Sequence, residues 1–310
     1  MSRRQQPNTG MNDDAVPEGQ IASVRAQGAA PDAAARKGVI ICADDFAVNQ
    51  SASLGIARLA RLGRISATSV MVLSPRWQHD AALLQDLRCR IDVGLHLDWT
   101  SQFALDAGHG MTLGAAMRRA MLGGFDQALA STLIERQLDL FECRWQAAPD
   151  YVDGHQHVQQ FAGIREALVG VLVRRYAAQA VKPYLRISRA PPGAASLKSR
   201  VIAWMGASAL DNIAASAGLA RAASLLGIYN LAGGPARYAS LMARWLCQAP
   251  AAAIIMCHPA QAAEPDDEIG IARAQEFAYL ASGDFAEALQ FAQVSPVRGD
   301  EAIGTSKIRR

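Results

Sequence analysis

The feature that most constrains this chain is an alternation between two hydrophobic periods. Val39-Ile40-Ile41-Cys42 is an unbroken apolar run, the pattern of a strand covered on both faces. Leu54, Ile56, Ala57, Leu59, Ala60 and Leu62 follow at helical spacing, and Gly63 closes that segment. Ala67 to Leu73 is rich in β-branched and apolar residues; after it come Pro75, a helical segment reaching about Leu87, and the run Ile91 to Leu97. Strand, helix, strand, helix, strand at this spacing predicts parallel strands joined by crossover helices. Beyond a weakly patterned region at 108–124, a helix is expected from about Asp126 to Arg144. Further strands are expected at Tyr151 to Asp153, Tyr184 to Ser188 and Ala252 to Cys257. The Ala-rich stretch between Leu197 and Leu226 reads as helical, an insertion packed beside the sheet.

The architecture that follows is α/β: a (β/α) barrel, distorted or incomplete, with a helical insertion, in one domain over 38–293. Residues 1–37 are rich in Gln, Pro, Gly, Asp and Ala and nearly lack large apolar side chains, so a disordered tail is expected there. Residues 294–310 look similar and read as a flexible tail ending in Lys307, Arg309 and Arg310.

Charge and cysteine usage narrow the class. The net charge of +3 and the lack of a basic stripe interleaved with aromatics argue against nucleic acid as a partner. The five cysteines show no C-x-x-C spacing, and Cys42 and Cys257 lie inside apolar runs, so no disulfide framework is expected. Arg3 and Arg4 are not followed by an apolar stretch, and the apolar segment Val201 to Ala220 is broken by Asp211 and Asn212. The expectation is a soluble cytoplasmic protein without a membrane span. A homo-oligomer stays open, since Trp99, Trp204 and Trp245 suit a core or an interface equally.

In parallel α/β folds, chemistry gathers at the carboxyl ends of the strands. The unusual polar residues of this chain fall there. The first strand ends in Asp44-Asp45, the third in His96 with Asp98 beyond it, the fourth in Asp153-Gly154-His155-Gln156-His157, and the late strand in Cys257-His258-Pro259. Taken singly, the Asp pair suits a helix N-cap, and a His on an apolar strand suits a satisfied core residue. The His-x-His pair would share one face of a strand. Four such features at one end of one sheet point instead to a site. A carboxylate with two imidazoles suits Zn²⁺, Mn²⁺, Fe²⁺ or Co²⁺, with positions left for water and substrate. A neighbouring carboxylate could take a proton from the water, and a histidine opposite could protonate a leaving amine.

These residues resemble the YdjC-like family, the ChbG/HpnK-type carbohydrate deacetylases. The blocks that carry the resemblance run from Val39 to Phe46, Ser66 to Val72, Val93 to Leu97, Asp153 to Val158 and Ile255 to Pro259. It implies a metal held by Asp45, His96 and His155, with Asp44 resembling the general base and His258 the general acid. His157, Arg186 and Asp153 are expected toward the substrate, with Arg186 resembling a family arginine near the active site and a structural salt bridge as its alternative role. The implied cofactor is a divalent ion, Mg²⁺ or Zn²⁺ ahead of Mn²⁺ and Co²⁺. The implied activity is removal of an N-acetyl group from an acetylated amino sugar or glycoconjugate, so the partner is a small carbohydrate or glycolipid. Hydrolysis of another ester or of a phosphoryl bond, and a non-catalytic sugar- or metal-binding protein, remain alternatives. Departures from the family pattern are Ala47 where glycine is usual, and Tyr151 and Gln159 where histidines are common.

Overall fold

The computed structural model describes residues 36–304, so the tail expected over 1–37 lies almost wholly outside the described residues. Its nine strands are β1 (Lys37–Phe46), β2 (Ala67–Val70), β3 (Asp92–Leu97), β4 (Tyr151–Gly154), β5 (Tyr184–Arg186), β6 (Arg221–Ala222), β7 (Leu225–Leu226), β8 (Ile254–Cys257) and β9 (Val294–Pro296). They hydrogen-bond in the order β6-β5-β4-β3-β2-β1-β8-β7, with β9 added to the start of β1. Every pairing is parallel. Helices cover the outside; the first, Gln50–Arg61, starts where the Asn49 side chain accepts from Ala52 N at 2.8 Å.

The two ends of the sheet meet in one short segment. Between β6 and β7 lie only Ala223 and Ser224, so Arg221–Leu226 bonds β5 with its first half and β8 with its second. Ile187 N donates to Ala222 O at 3.0 Å, and Ile254 N donates to Ser224 O at 2.9 Å. The result is a nearly closed (β/α) barrel of eight parallel strands. The Ala-rich stretch is therefore helical only through Leu197–Trp204 and Ala207–Ser216, which form the crossover from β5 to β6. Its last residues belong to the barrel wall.

Period two sorts the strand residues. On β1, Val39, Ile41 and Ala43 pack against the helices, while Ile40 and Cys42 join Ala67, Tyr151, Tyr184, Ala222, Leu225, Ile254 and Met256 in a separate cluster. That cluster is the barrel interior, because Cys42 Sγ lies 3.0 Å from Tyr151 Oη although β1 and β4 are not neighbours. Continuing the inward rows by two gives Asp44, Ser69, His96, Asp153, Arg186 and His258 at the carboxyl end. Hence these polar residues converge.

The opposite end is closed by residues expected to be a tail. Val294 is fully buried, and Val294–Pro296 pairs with Lys37–Val39. Arg298 Nε lies 2.7 Å from Asp92 Oδ1, and Gly299 N donates to Asp92 Oδ2 at 2.5 Å. Three residues make too short a strand to stand out in the sequence, and the buried Asp92 needs a cation from outside its own strand. Arg298→Ala is expected to cost roughly 2–4 kcal/mol by leaving that carboxylate without its counter-charge. A thermal melt reads this directly, and an unchanged midpoint would mean that the segment is not docked.

Two of the three open tryptophans are core: Trp99 and Trp245 are buried, and Trp204 is 71% exposed. All five cysteines are free thiols. Among the described residues, no helix is long and apolar enough to cross a membrane.

Candidate metal centre

Consecutive residues of a flat strand point to opposite faces, yet Asp44 and Asp45 both border the same cleft. A bulge resolves this. Ala43 pairs with Thr68 and Phe46 with Val70, so two residues of β1 stand opposite Ser69 alone. Asp45 takes a left-handed φ of 65°, and Ala47 follows at 73°. The second angle accounts for the glycine usual in the family, since a Cβ there is disfavoured by about 1 kcal/mol.

Asp45 stands between two imidazoles. Its Oδ1 is 3.3 Å from His96 Nε2 and 3.3 Å from His155 Nδ1, and no donor among the described residues completes a hydrogen bond to it. Its Oδ2 accepts from Arg273 Nη2 at 2.8 Å, and Arg273 Nε reaches Asp267 Oδ2 at 2.7 Å. One ligand atom from each of Asp45, His96 and His155 falls within 4.8 Å of the others. Ligands sharing one ion at ~2.0–2.2 Å sit ~3–3.5 Å apart, so this donor set fits a divalent cation. Asp153 sets His96 by meeting its Nδ1 at 2.5 Å, which leaves Nε2 for the cleft. Burial alone would pull the His96 pKa down, but the Asp153 charge overrides it and pushes it up to about 10.

His155 and His157 do not share a strand face as expected. They follow β4 in a tight turn, His155–Gln160, with φ of 52° at Gln156 and 63° at His157. A Cβ on Gly154 would come within 2.9 Å of Gln159 N, so the turn needs glycine there. His155 faces Asp45, while His157 is rotated so that its Nδ1 lies 3.0 Å from Ser188 Oγ. Burial, reinforced by Arg186, lowers the His157 pKa to about 3, so its ring is neutral.

Behind the triad lies a buried ion network. Arg186 Nη1 is 2.7 Å from Asp44 Oδ1 and 2.9 Å from Asp153 Oδ2, and Ser69 Oγ donates to Asp153 Oδ2 at 2.6 Å. Burial would raise the Asp44 pKa, but Arg186 holds it well below the usual carboxylate range. Cys42, Asp44 and Asp153 also lie close together, but the guanidinium already bridges the two carboxylates, and burial pushes the thiol pKa up. Asp153, expected toward the substrate, has no exposed surface and does not border the cleft; it supports His96. Arg186 and His157 do border it.

His258 follows β8, its backbone N donating to Glu276 Oε2 at 2.5 Å, and its buried Nδ1 has no hydrogen-bond partner among the described residues. Tyr229 Oη donates to Glu276 Oε1 at 2.7 Å. Arg273 and Glu276 were absent from the sequence expectation, yet a signal existed. In the helix Gly270–Ala281 they share the buried face with Phe277 and Leu280, and charged residues on such a face need partners.

The cleft over these residues measures about 1020 Å³. Leu113, Met117, Leu197 and Ile202 contribute apolar lining, and Glu264 to Glu268 an acidic stretch.

The chitooligosaccharide deacetylase of Enterobacter sp. (strain 638) is 28% identical over 164 residues, 49% of this chain and 65% of that protein. That of Citrobacter koseri is 28% identical over 139 residues, 41% of this chain and 52% of its own length. The chain thus spans about half to two thirds of the length of these curated relatives. A crystal structure from Enterococcus faecalis V583, of a protein given a provisional role in cellobiose-phosphate cleavage, superposes with a TM-score of 0.64. It shares 17% identity, over 86% of this chain and 98% of that one, and supports the fold alone. Residues 38–291 match the profile of the YdjC-like proteins, and the chain belongs to that family.

Proposed function

We propose that the protein is a metal-dependent carbohydrate deacetylase, hydrolysing the N-acetyl group of an acetylated amino sugar or glycoconjugate. The observation that carries this reading is Asp45 Oδ1, buried without a donor between His96 and His155 on the cleft that Asp44 also lines. The names of the two deacetylase relatives support the bond type and the sugar class.

A divalent ion on Asp45, His96 and His155 would lower the pKa of a water and offset negative charge developing on the acetyl oxygen. Asp44, kept ionised by Arg186, accepts the proton of the attacking water. His258 gives a proton to the departing nitrogen, and Glu276 fixes the backbone that carries it. Asp153 holds His96 in the tautomer with Nε2 toward the cleft.

The test is acetate release from N-acetylated mono- and oligosaccharides, with and without a chelator. Chelator-sensitive release, restored by Mg²⁺, Zn²⁺, Mn²⁺ or Co²⁺, supports the reading and identifies the ion. Release that ignores the chelator removes the metal from the mechanism. Acetate from O-acetyl sugars only would make the protein an esterase.

A further inference from the structure

Five large apolar side chains stand in water beside the cleft. Leu197, Val201 and Trp204 are 80%, 44% and 71% exposed and lie at i, i+4 and i+7 of the helix Leu197–Trp204, on one face. Met121 and Leu122, at the end of the helix Leu113–Met121, are 50% and 86% exposed. Both helices line the cleft, through Leu113 and Met117 on one and Leu197 and Val201 on the other. Both also end against one short segment, where Gln160 Nε2 donates to Ile202 O and Phe125 N donates to Ala162 O at 2.8 Å. The exposed residues thus belong to two helices that border the same cleft and the same segment, while Ile271 and Phe291 stand exposed on other helices.

The charge on these two helices has one sign, while Glu264, Asp266 and Glu268 border the same cleft from another segment. Arg118, Arg119, Lys198 and Arg200 are exposed on these helices, and the sequence holds no Asp or Glu from 107 to 125 or from 167 to 210. A soluble surface normally intersperses both signs and breaks up apolar area of this kind. An apolar helical face with Trp at its edge, on helices that carry cations and no acids of their own, has the chemistry of an interfacial helix on an anionic bilayer. We propose that this rim docks the protein on an anionic membrane surface, with Leu122, Leu197 and Trp204 in the headgroup region and the arginines and Lys198 against lipid phosphates. Docked this way, the cleft opens at the lipid–water boundary. The proposal goes beyond the hydrolase reading and stands without it.

The experiment is co-sedimentation of the full chain with phosphatidylcholine vesicles, with and without phosphatidylglycerol. Wild type is expected to pellet with the anionic vesicles and to be released by salt. The double variant Leu122→Ser/Trp204→Ser removes two inserted side chains outside the cleft lining and should partition roughly tenfold more weakly or worse. Arg200→Glu should weaken binding to the anionic vesicles alone. A circular dichroism melt of each variant separates lost docking from lost folding. Absence of wild-type pelleting, or equal pelleting of the folded double variant, overturns the proposal. So does a wild-type dimer in sedimentation velocity that Trp204→Ser splits, because a second copy would then cover the patch.

Discussion

Asp44→Asn is expected to cut acetate release ~10²–10⁴-fold, the range lost when a general base is removed, while leaving the metal content unchanged. The geometry separates the two effects. Asp44 is outside the triad of Asp45, His96 and His155, and its Oδ1 faces Arg186 instead. The amide has nearly the size of the carboxylate, and Arg186 keeps Asp153 at 2.9 Å, so the fold should persist. Turnover and bound metal measured on the same preparation decide the matter. If Asn keeps turnover within a few-fold, the proton goes elsewhere. If metal is lost together with activity, Asp44 belongs to the ligand set and the division of labour between the two aspartates is wrong. A sugar-binding protein without catalysis would keep its ligand affinity in this variant.

Arg186→Met carries the second large effect, on stability. The side chain is 1% exposed and is the cation that bridges Asp44 and Asp153. Removing it takes the nearest cation from the buried Asp44 carboxylate, a cost of about 3–5 kcal/mol, or a fall in melting temperature of roughly 10 °C for a chain of this size. The pH dependence has a defined sign. In the wild type the Asp44 pKa is depressed, so its contribution is complete above the unfolded value of about 3.9 and is lost as pH falls through the folded value. In the variant only the weaker pull of His96 and His258 still opposes burial, so the protonated acid gains ground and the penalty grows as pH rises. The melting gap between the two proteins should therefore be widest near neutrality and narrow on acidification. A gap that widens in acid would show that Arg186 does not hold Asp44 ionised.

What could be read in advance followed from length and burial. β1, β3, β4 and β8 were legible because strands covered on both faces are nearly unbroken apolar runs that stop at a polar residue. Those stops were Asp44-Asp45, His96, Asp153 and His258, which the structure brings to one end of the barrel. β6 and β7 were hidden because two residues carry no period, and the alanines before them read as continuous helix. The bulge at Asp44 and Asp45 was hidden because it depends on register against β2, which a single strand does not encode. The same gap misplaced Asp153 and His157. Alternation assigns a face but does not say where a strand gives way to a turn, so Asp153 was expected in the open and His157 beside His155. Arg273 sits on a helix more than two hundred residues from Asp45, and only the folded chain shows that it clamps one carboxylate oxygen and leaves the other free.

The order of strands around the barrel also sets a timetable for synthesis. Asp45, His96 and His155 belong to the first half of the chain, at the ends of β1, β3 and β4, whose pairings through β2 form between successive segments. The partner of β1 on its other side, β8, and the arginine that orients Asp45 leave the ribosome only after all of these. A nascent chain can thus present all three ligand side chains well before His258 exists and before Arg273 can fix Asp45. Until then the half-barrel exposes the unpaired edge of β1, a strand of ten residues, and is open to misassociation. Were Asp45, His96 and His155 to hold an ion, its ligands would be translated more than a hundred residues ahead of both His258 and Arg273.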